Sequence, residues 1–598
     1  MTAKSLIATT VLSGLSVFLS ACGQKKDPSE EAFNTLMQSV PADVTFFAGA
    51  YIPLEEQREL QAREDWKKVR AAIVGNPVLM QRFEGVFEAD PELKAISEVL
   101  FGGKSGAEFV SDMLSAAPAP TAFVVYSDDF SEKDKAPDFA FAATMAESYV
   151  KVLADLLEQA KARNAAEKAW FKEVVGNKTI YTHTRDELSL VIALCGSDVL
   201  MAPSREALDR LEASFVNPPA KALKDSAIYQ KSMKGSEGYN LVAFLNFDGI
   251  KNFRKTKKGD NAFAKSIKEN AESIAFFADI SSTGNTAHAF ARMEFSKPTW
   301  CHEVLGQMGQ TQMATLANAL PGADYALGLG LPKFAGDWVK EAQIPDKAFN
   351  AFSRLGARNL YLSLSQLESV VGLIGGDISS VPQAFLKLEC EDNTALTEDE
   401  SVAALFAPNN PMAQKQNMNG VDVYSSFFFG IKYALLGKTG FYASNAFDAS
   451  AALSLAQGNG KSLAQEGTYN ALSERIAGAN AFEVFSDDRA GIRTQVAFME
   501  AQIKSIADAE KGPTYYAPEE DSEAPAESIA DTEAGSVLEA DLEALRSALA
   551  FQRLAADLMK KSVSGLALRR NGTAIELEWT CDYEYDFEAF AKALENLK

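Results

Sequence analysis

Any hydrolytic, metal-assisted or nucleotide-dependent reaction in this chain would have to be built from three histidines, three Gly-Lys-Ser/Thr fragments and a surplus of carboxylates. None of His183, His288 and His302 has a second His or Cys two to four residues away, so no zinc site of the usual kind is expected. No Gly-x-Ser-x-Gly elbow accompanies them, which leaves a Ser-His-Asp arrangement without a motif. In Ala287-His288-Ala289-Phe290-Ala291 the alternation sets His288 opposite a small apolar face, the pattern of an outward strand residue. His183 lies by a turn whose counterpart later in the chain holds Ser and Phe, against a shared catalytic role. Gly103-Lys104-Ser105, Gly437-Lys438-Thr439 and Gly460-Lys461-Ser462 lack the glycine that a phosphate-cradling loop needs upstream. Glu98, Lys432 and Leu455 stand there instead, so all three read as turns.

The carboxylates are too many to be diagnostic. Asp128-Asp129, Asp487-Asp488 and Glu389/Glu391/Asp392 are expected to be solvated loop ends, because a glycosidase pair needs a defined spatial separation. Residues 512–535 carry Pro513, Pro518 and Pro525 among Glu519, Glu520, Asp521, Glu523, Glu527, Asp531 and Glu533, with no basic residue between them. This reads as a disordered acidic insertion between two helices, without the spacing of a calcium loop. The formal net charge of −23 argues against nucleic acid and against electrostatic adhesion to anionic lipid heads. No catalytic residue, metal or cofactor is therefore expected.

The elements that carry these residues repeat. Ala193-Leu194-Cys195-Gly196-Ser197-Asp198 and the residues up to Ser204 align without a gap with Ala434-Leu435-Leu436-Gly437 and the residues up to Asn445. Gly176-Asn177-Lys178-Thr179-Ile180-Tyr181 matches Asn419-Gly420-Val421-Asp422-Val423-Tyr424. Val40-Pro41-Ala42-Asp43 and Leu320-Pro321-Gly322-Ala323-Asp324 each lead into a strand. Hairpin patterns close both halves, around Ser282-Thr283-Gly284-Asn285 and around Asn571-Gly572.

Within the first half, helices are expected at 30–37, 62–74, 91–100, 149–174 and 205–215, the last capped by Ser204. Strands are expected at 122–126, 139–144 and 240–247, with a strand pair over 179–202. A boundary helix is expected at 303–320 and a closing helix at 587–597. The fold class is α+β: two tandem similar domains, 30–300 and 301–598, each a mostly antiparallel sheet with helices packed on it.

Cys195, Cys301, Cys390 and Cys581 are scattered singly, and sequence pairs none of them; buried free thiols are expected. Phe46-Phe47 and Phe427-Phe428-Phe429 fall in expected strands, where consecutive rings point to both faces of a sheet. They are candidates for a buried core, and also for an apolar ligand or interface surface.

Lys4 followed by an uncharged apolar run, Leu6 to Leu19, then Ser20-Ala21-Cys22, resembles the signal peptide and lipobox of bacterial lipoproteins. The resemblance implies cleavage after residue 21, acylation of Cys22 and a tether over 22–29. It also implies a body held on a membrane by lipid in the cell envelope. Gly23, where an Asp would retain such a protein at the inner membrane, points to the outer membrane. The alternative is an ordinary cleaved signal in which Cys22 is incidental.

On this reading the chain is expected to be a non-catalytic binding or scaffold protein with an envelope partner. A periplasmic carrier of a lipid or other apolar ligand is the second reading, and an unrecognised hydrolase the third.

Overall fold

The computed structural model describes Phe33 and residues 40–595, except 43, 52–53, 89–104, 116–119, 128–137, 145–146, 164–169, 186–187, 217–220, 237–238, 251–252, 281–284, 310–314, 334–336, 344–352, 375–380, 399, 404–412, 427–429, 447, 466–471, 473–474, 477, 479 and 511–532. The protein is α+β, with helices set against a large antiparallel sheet.

The strands of the first half are β1 (Phe46–Ala50), β2 (Thr121–Ser127), β3 (Asp138–Thr144), β4 (Trp170–Val175), β5 (Lys178–Arg185), β6 (Leu188–Cys195), β7 (Asp198–Ala202), β8 (Leu241–Asn246), β9 (Ala271–Ile280) and β10 (Thr286–Phe295). Those of the second half are β11 (Tyr325–Gly330), β12 (Asn359–Ser365), β13 (Gln383–Glu389), β14 (Ala413–Met418), β15 (Val421–Ser426), β16 (Lys432–Leu436), β17 (Gly440–Ser444), β18 (Phe482–Asp487), β19 (Met559–Asn571) and β20 (Ala574–Tyr585).

Every described pairing is antiparallel. The pairings run β4-β5-β6-β7-β3-β2-β1-β8-β9-β10 and then, through β10–β20, on to β20-β19-β18-β11-β12-β13-β17-β16-β15-β14. Read inward from either edge, the strands follow the same order. The backbone joints also correspond: Asn246 N–H donates to Thr45 O at 2.8 Å, and Asp487 N–H donates to Asp324 O at 2.8 Å. The sheet is open, and one continuous ladder passes through both halves.

One face of the strands is driven inward by alternation. Phe47, Phe244 and Phe277 point to this face and are at most 1% exposed. They join one core with Leu208 and Leu211 of the helix Arg205–Val216, whose Ala207 N–H bonds Ser204 Oγ at 3.1 Å. In the second half Phe385 and Tyr442 pack with Leu453 of the helix Ala449–Ala456, capped by Asp448 through Ala451 N–H at 2.9 Å. The helix Glu147–Arg163 covers the opposite face at one end, setting Leu153 and Leu157 on Tyr181, Ile192 and Leu194.

Three boundaries differ from the sequence reading. The long helix ends at Arg163, and Trp170–Val175 is strand β4, because Trp, Phe and two Val residues favour a pleated surface and Gly176 at φ 65° turns the chain into β5. The expected pair over 179–202 is three strands, since the run divides between Arg185 and Leu188. Among the described residues the boundary helix is Trp300–Met308, and Thr315–Asn318 is a 3₁₀ turn. The expected helix at 91–100, nearly all of the helix at 30–37 and the acidic residues 512–532 lie outside the described residues.

Phe276 and Phe277 are chain neighbours on opposite faces of β9, 37% and 1% exposed. Phe277→Ala is expected to cost about 3–5 kcal/mol, whereas Phe276→Ala should cost about 1 kcal/mol or less. Urea midpoints of the two variants check this ordering.

Candidate functional site

The structure separates the two Phe of β1. Phe47 is buried in the first core. Phe46, half-buried on the other face, meets Phe123 edge-on at 6.2 Å, and Phe123 lies 5.6 Å from Phe139. Phe427, Phe428, Phe429 and Cys22 lie outside the described residues. Cys195, Cys301, Cys390 and Cys581 are free, the last three buried. Burial lifts the Cys301 and Cys581 thiols to about 11, so neither is a ready nucleophile.

The carboxylate pairs are taken up locally. Asp487 binds Arg489 at 2.9 Å, and Asp488 accepts from Ser562 and Ser564 at 2.9 and 2.8 Å. Glu389 binds Lys387, Glu391 binds Arg358, and Asp392 accepts from Thr394 N–H. Asp128-Asp129 falls outside the described residues. Gly437-Lys438-Thr439 is the β16–β17 turn. Among the described residues no group of three or more His, Cys, Asp or Glu is placed to hold a metal, and no helix is long and apolar enough to cross a membrane.

The most concentrated polar chemistry lies where β10 meets β20, and His288 belongs to it. Its strand turns the buried Ala287 and Ala289 to the other side, and His288 is the more open residue, its side chain 33% exposed beside the buried Glu578. The His288 Nε2 donates to Glu578 Oε1 at 2.7 Å, and Nδ1 shares a hydrogen bond with the Tyr239 hydroxyl at 2.8 Å. Glu578, 4% exposed, also lies 2.5 Å from Arg569 Nη1. Glu576, 2% exposed, accepts from Arg292 Nε at 2.9 Å, Arg569 Nε at 3.2 Å and Asn571 Nδ2 at 2.9 Å. Lys231 reaches Glu294 at 3.0 Å, and Arg475 binds Asp582.

Burial would raise the Glu576 carboxyl, but Asn571, Arg292 and Arg569 outweigh it and hold the group below the usual range. Desolvation, helped by Glu578 and Asp279, lifts Tyr239 to about 12. Each buried acid of the cluster has a cation within ion-pair distance, so the cluster is a paired ladder that ties β9–β10 to β19–β20, with Glu294 Oε2, Glu578 Oε2 and Thr580 Oγ1 left without a hydrogen bond among the described residues. The signal for it is visible in sequence as His288-x-Phe290-x-Arg292-x-Glu294 against Glu576-x-Glu578-x-Thr580-x-Asp582, a pattern normally read as a solvent face.

His302 is fully buried. Thr299 N–H donates to its Nδ1 at 3.1 Å, closing a capping box, and its Nε2 donates to Thr573 O at 3.1 Å. An open polar groove of about 440 Å³ borders the same helix, between Trp300, Glu303, Gln307, Glu341 and Arg570.

The opposite face of the central strands is apolar. Register places Ala48, Ala243, Phe276, Ala291, Leu577, Leu568, Phe482, Leu329 and Leu360 in one line, each directly opposite the next, across β1-β8-β9-β10-β20-β19-β18-β11-β12. At the usual spacing of about 4.8 Å between strands this line is about 38 Å long. Phe276 is exposed and the other eight are half-buried. The line continues to Phe123 and Phe141 on one side and to Leu388 on the other.

No protein-family profile matches the chain, and no curated protein matches it. Among solved structures, crystal form III of TP0453 gives a TM-score of 0.21 at 8% identity, over 44% of this chain and 80% of that one. A likeness of that size carries no argument about fold or function.

Two outcomes follow from the ladder and the buried imidazole. Glu576→Ala leaves Arg292 without its carboxylate and Arg569 with Glu578 alone, and is expected to cost about 3–5 kcal/mol, whereas Glu576→Gln, keeping the shape and an acceptor, should cost less. Chemical denaturation checks the order. Burial, reinforced by Arg570 against the opposing pull of the Thr573 carbonyl, lowers the His302 pKa. The folded state therefore binds this proton less readily than the unfolded chain. The contribution of neutral His302 is complete above the ordinary value of 6.5 and is lost as pH falls below it. Thermal scans from pH 8 to 5 should show a decline that His302→Gln flattens.

Proposed function

We propose that this chain is a lipid-anchored, non-catalytic binding protein of a bacterial cell envelope, built from two copies of a ten-strand unit, and that it binds apolar ligands. The duplication is supported by the common strand order and by the matching joints at Thr45–Asn246 and Asp324–Asp487. Anchoring rests on the lipobox ending at Cys22. A non-catalytic role is supported by the engagement of the carboxylates at 389–392 and 487–488 and of those on β20 in ion pairs, caps and hydroxyl bonds.

The apolar line from Ala48 to Leu360 carries the ligand class. Soluble proteins rarely leave contiguous apolar surface larger than a few hundred Å² half-open, and such surface marks a binding face. Its side chains offer no hydrogen-bond donor or acceptor. A ligand with unsatisfied polar groups would lose its water there without replacement, whereas aliphatic chains lose nothing. This favours the carrier reading over a plain scaffold.

The test uses residues 23–598 purified from the periplasm, analysed by native mass spectrometry with organic extraction and titrated with a fluorescent long-chain fatty acid. Stoichiometric binding that falls at least tenfold in Ala291→Lys and Leu568→Lys supports the reading. A ligand-free mass with no fatty-acid binding sinks it and leaves the scaffold, to be pursued by cross-linking to envelope proteins.

A further inference from the structure

The two edges of the sheet are built differently although they occupy equivalent places. β4 pairs with β5 and β14 pairs with β15, and among the described residues neither edge strand has a second neighbour. The turns Gly176-Asn177 and Asn419-Gly420 fix the correspondence, so Phe171, Lys172, Glu173 and Val174 match Gln414, Lys415, Gln416 and Asn417. In β4, Phe171 is 58% exposed, Val174 65% and Val175 47%. The β14 edge is polar at those positions, apart from Met418, and holds Lys415 against Asp422 at 2.7 Å. Both edges hold a lysine in an ion pair at the matched position, Lys172 on Glu158 and Lys415 on Asp422; what separates them is that β4 exposes Phe171, Val174 and Val175 where β14 has Gln414, Asn417 and Met418.

We propose that β4 is a dimerisation edge, pairing antiparallel with β4 of a second copy so that the two sheets become one. The free side of an edge strand presents backbone N–H and C=O groups in the spacing that only an extended strand completes. Self-pairing about a twofold axis normal to the sheet keeps each residue on its own face, so residues of like parity must meet. With the axis at Glu173, Phe171 lies opposite the partner's Val175, twice per dimer, an aromatic–β-branched pair of the kind that stabilises ladders.

An axis at Lys172, whose ammonium already carries Glu158, instead sets Trp170, which packs on its own His183, opposite Val174 and leaves the exposed Phe171 facing a carboxylate. An axis at Val174 faces Val175 with Glu173. At the Glu173 axis each carboxylate already carries its own Arg205, so the two copies bring two charges of each sign. The polar β14 edge matters equally. Two apolar edges would propagate copies without limit, whereas one apolar and one protected edge close at a dimer.

Sedimentation velocity of residues 23–598 at tens of micromolar should give twice the chain mass. Phe171→Lys should return it to one chain, and Gln414→Lys at the matched β14 position should leave the dimer intact. In a Cys195→Ala background, Glu173→Cys faces itself across the axis and should form a disulfide dimer on mild oxidation, whereas Lys172→Cys should not. A monomeric parent protein, a dimer that survives Phe171→Lys, or cross-linking at Lys172→Cys but not at Glu173→Cys overturns the proposal.

Discussion

The pairing of β10 with β20 is the constraint on which the rest of the molecule depends. It is the described seam between the two halves, and its polar face carries Arg292, Glu576, Glu578 and the half-buried His288. Buried ions of this kind contribute little net stability, because the loss of water offsets most of the attraction. Their effect is on register. A slip of one residue would turn Glu576 and Glu578 to the apolar side and drive Leu577 and Trp579 among the charges. The two contacts that cross the seam, Arg292–Glu576 and His288–Glu578, would then be lost together. The ladder therefore selects one alignment of the halves far more sharply than an apolar seam would, since apolar side chains tolerate exchange of neighbours.

That selection reaches across the whole sheet. The apolar line from Ala48 to Leu360 is continuous only because Ala291 sits opposite Leu577. The same pleat that buries the acids on one side of β20 sends Leu577 and Trp579 to the other. Face for face this reverses the ordinary economy of a two-layer sheet, in which polar residues look outward and apolar ones inward. Here the charges at the centre are covered and paired, and the apolar side chains behind them are half-open. The two features belong to one arrangement: a surface meant to stay apolar must send the polar residues of its strands to the opposite face, where they must then find partners.

Much of the architecture was legible in the chain. Alternation and turn chemistry located most strands, Ser204 announced its helix, and Asn571-Gly572 marked the hairpin of β19 and β20. The repeated order of motifs anticipated the common strand order of the halves. Where the reading failed, local and tertiary signals conflicted. Trp170–Val175 continued an apolar run at helical spacing, and only its pairing with β5 makes it a strand. Periodicity correctly assigned His288 to the face opposite Ala287 and Ala289, but period two cannot say whether that face meets water. The answer depended on Glu578, 290 residues away, and on Tyr239 from a neighbouring loop. The apolar line was illegible for the same reason, since a row perpendicular to the strands takes one residue from each of nine segments.

The acidity of the chain acquires a physical role beside such a face. Half-open apolar surface drives association of any two copies that meet, and a net charge of −23 opposes close approach at low ionic strength. The repulsion is general and falls within about a Debye length, whereas apolar contact is short-ranged and needs matching surfaces. Ionic strength should then act on the two kinds of contact differently. Raising salt screens the charge and leaves the apolar term intact, so non-specific association through the open face would grow. Docking at a β4 edge would change less, because its backbone ladder and Phe171–Val175 contacts carry no net charge and the Glu173–Arg205 pairs are balanced at the axis. The fold thus keeps its indiscriminate surface under an electrostatic brake while leaving a directional contact free to form.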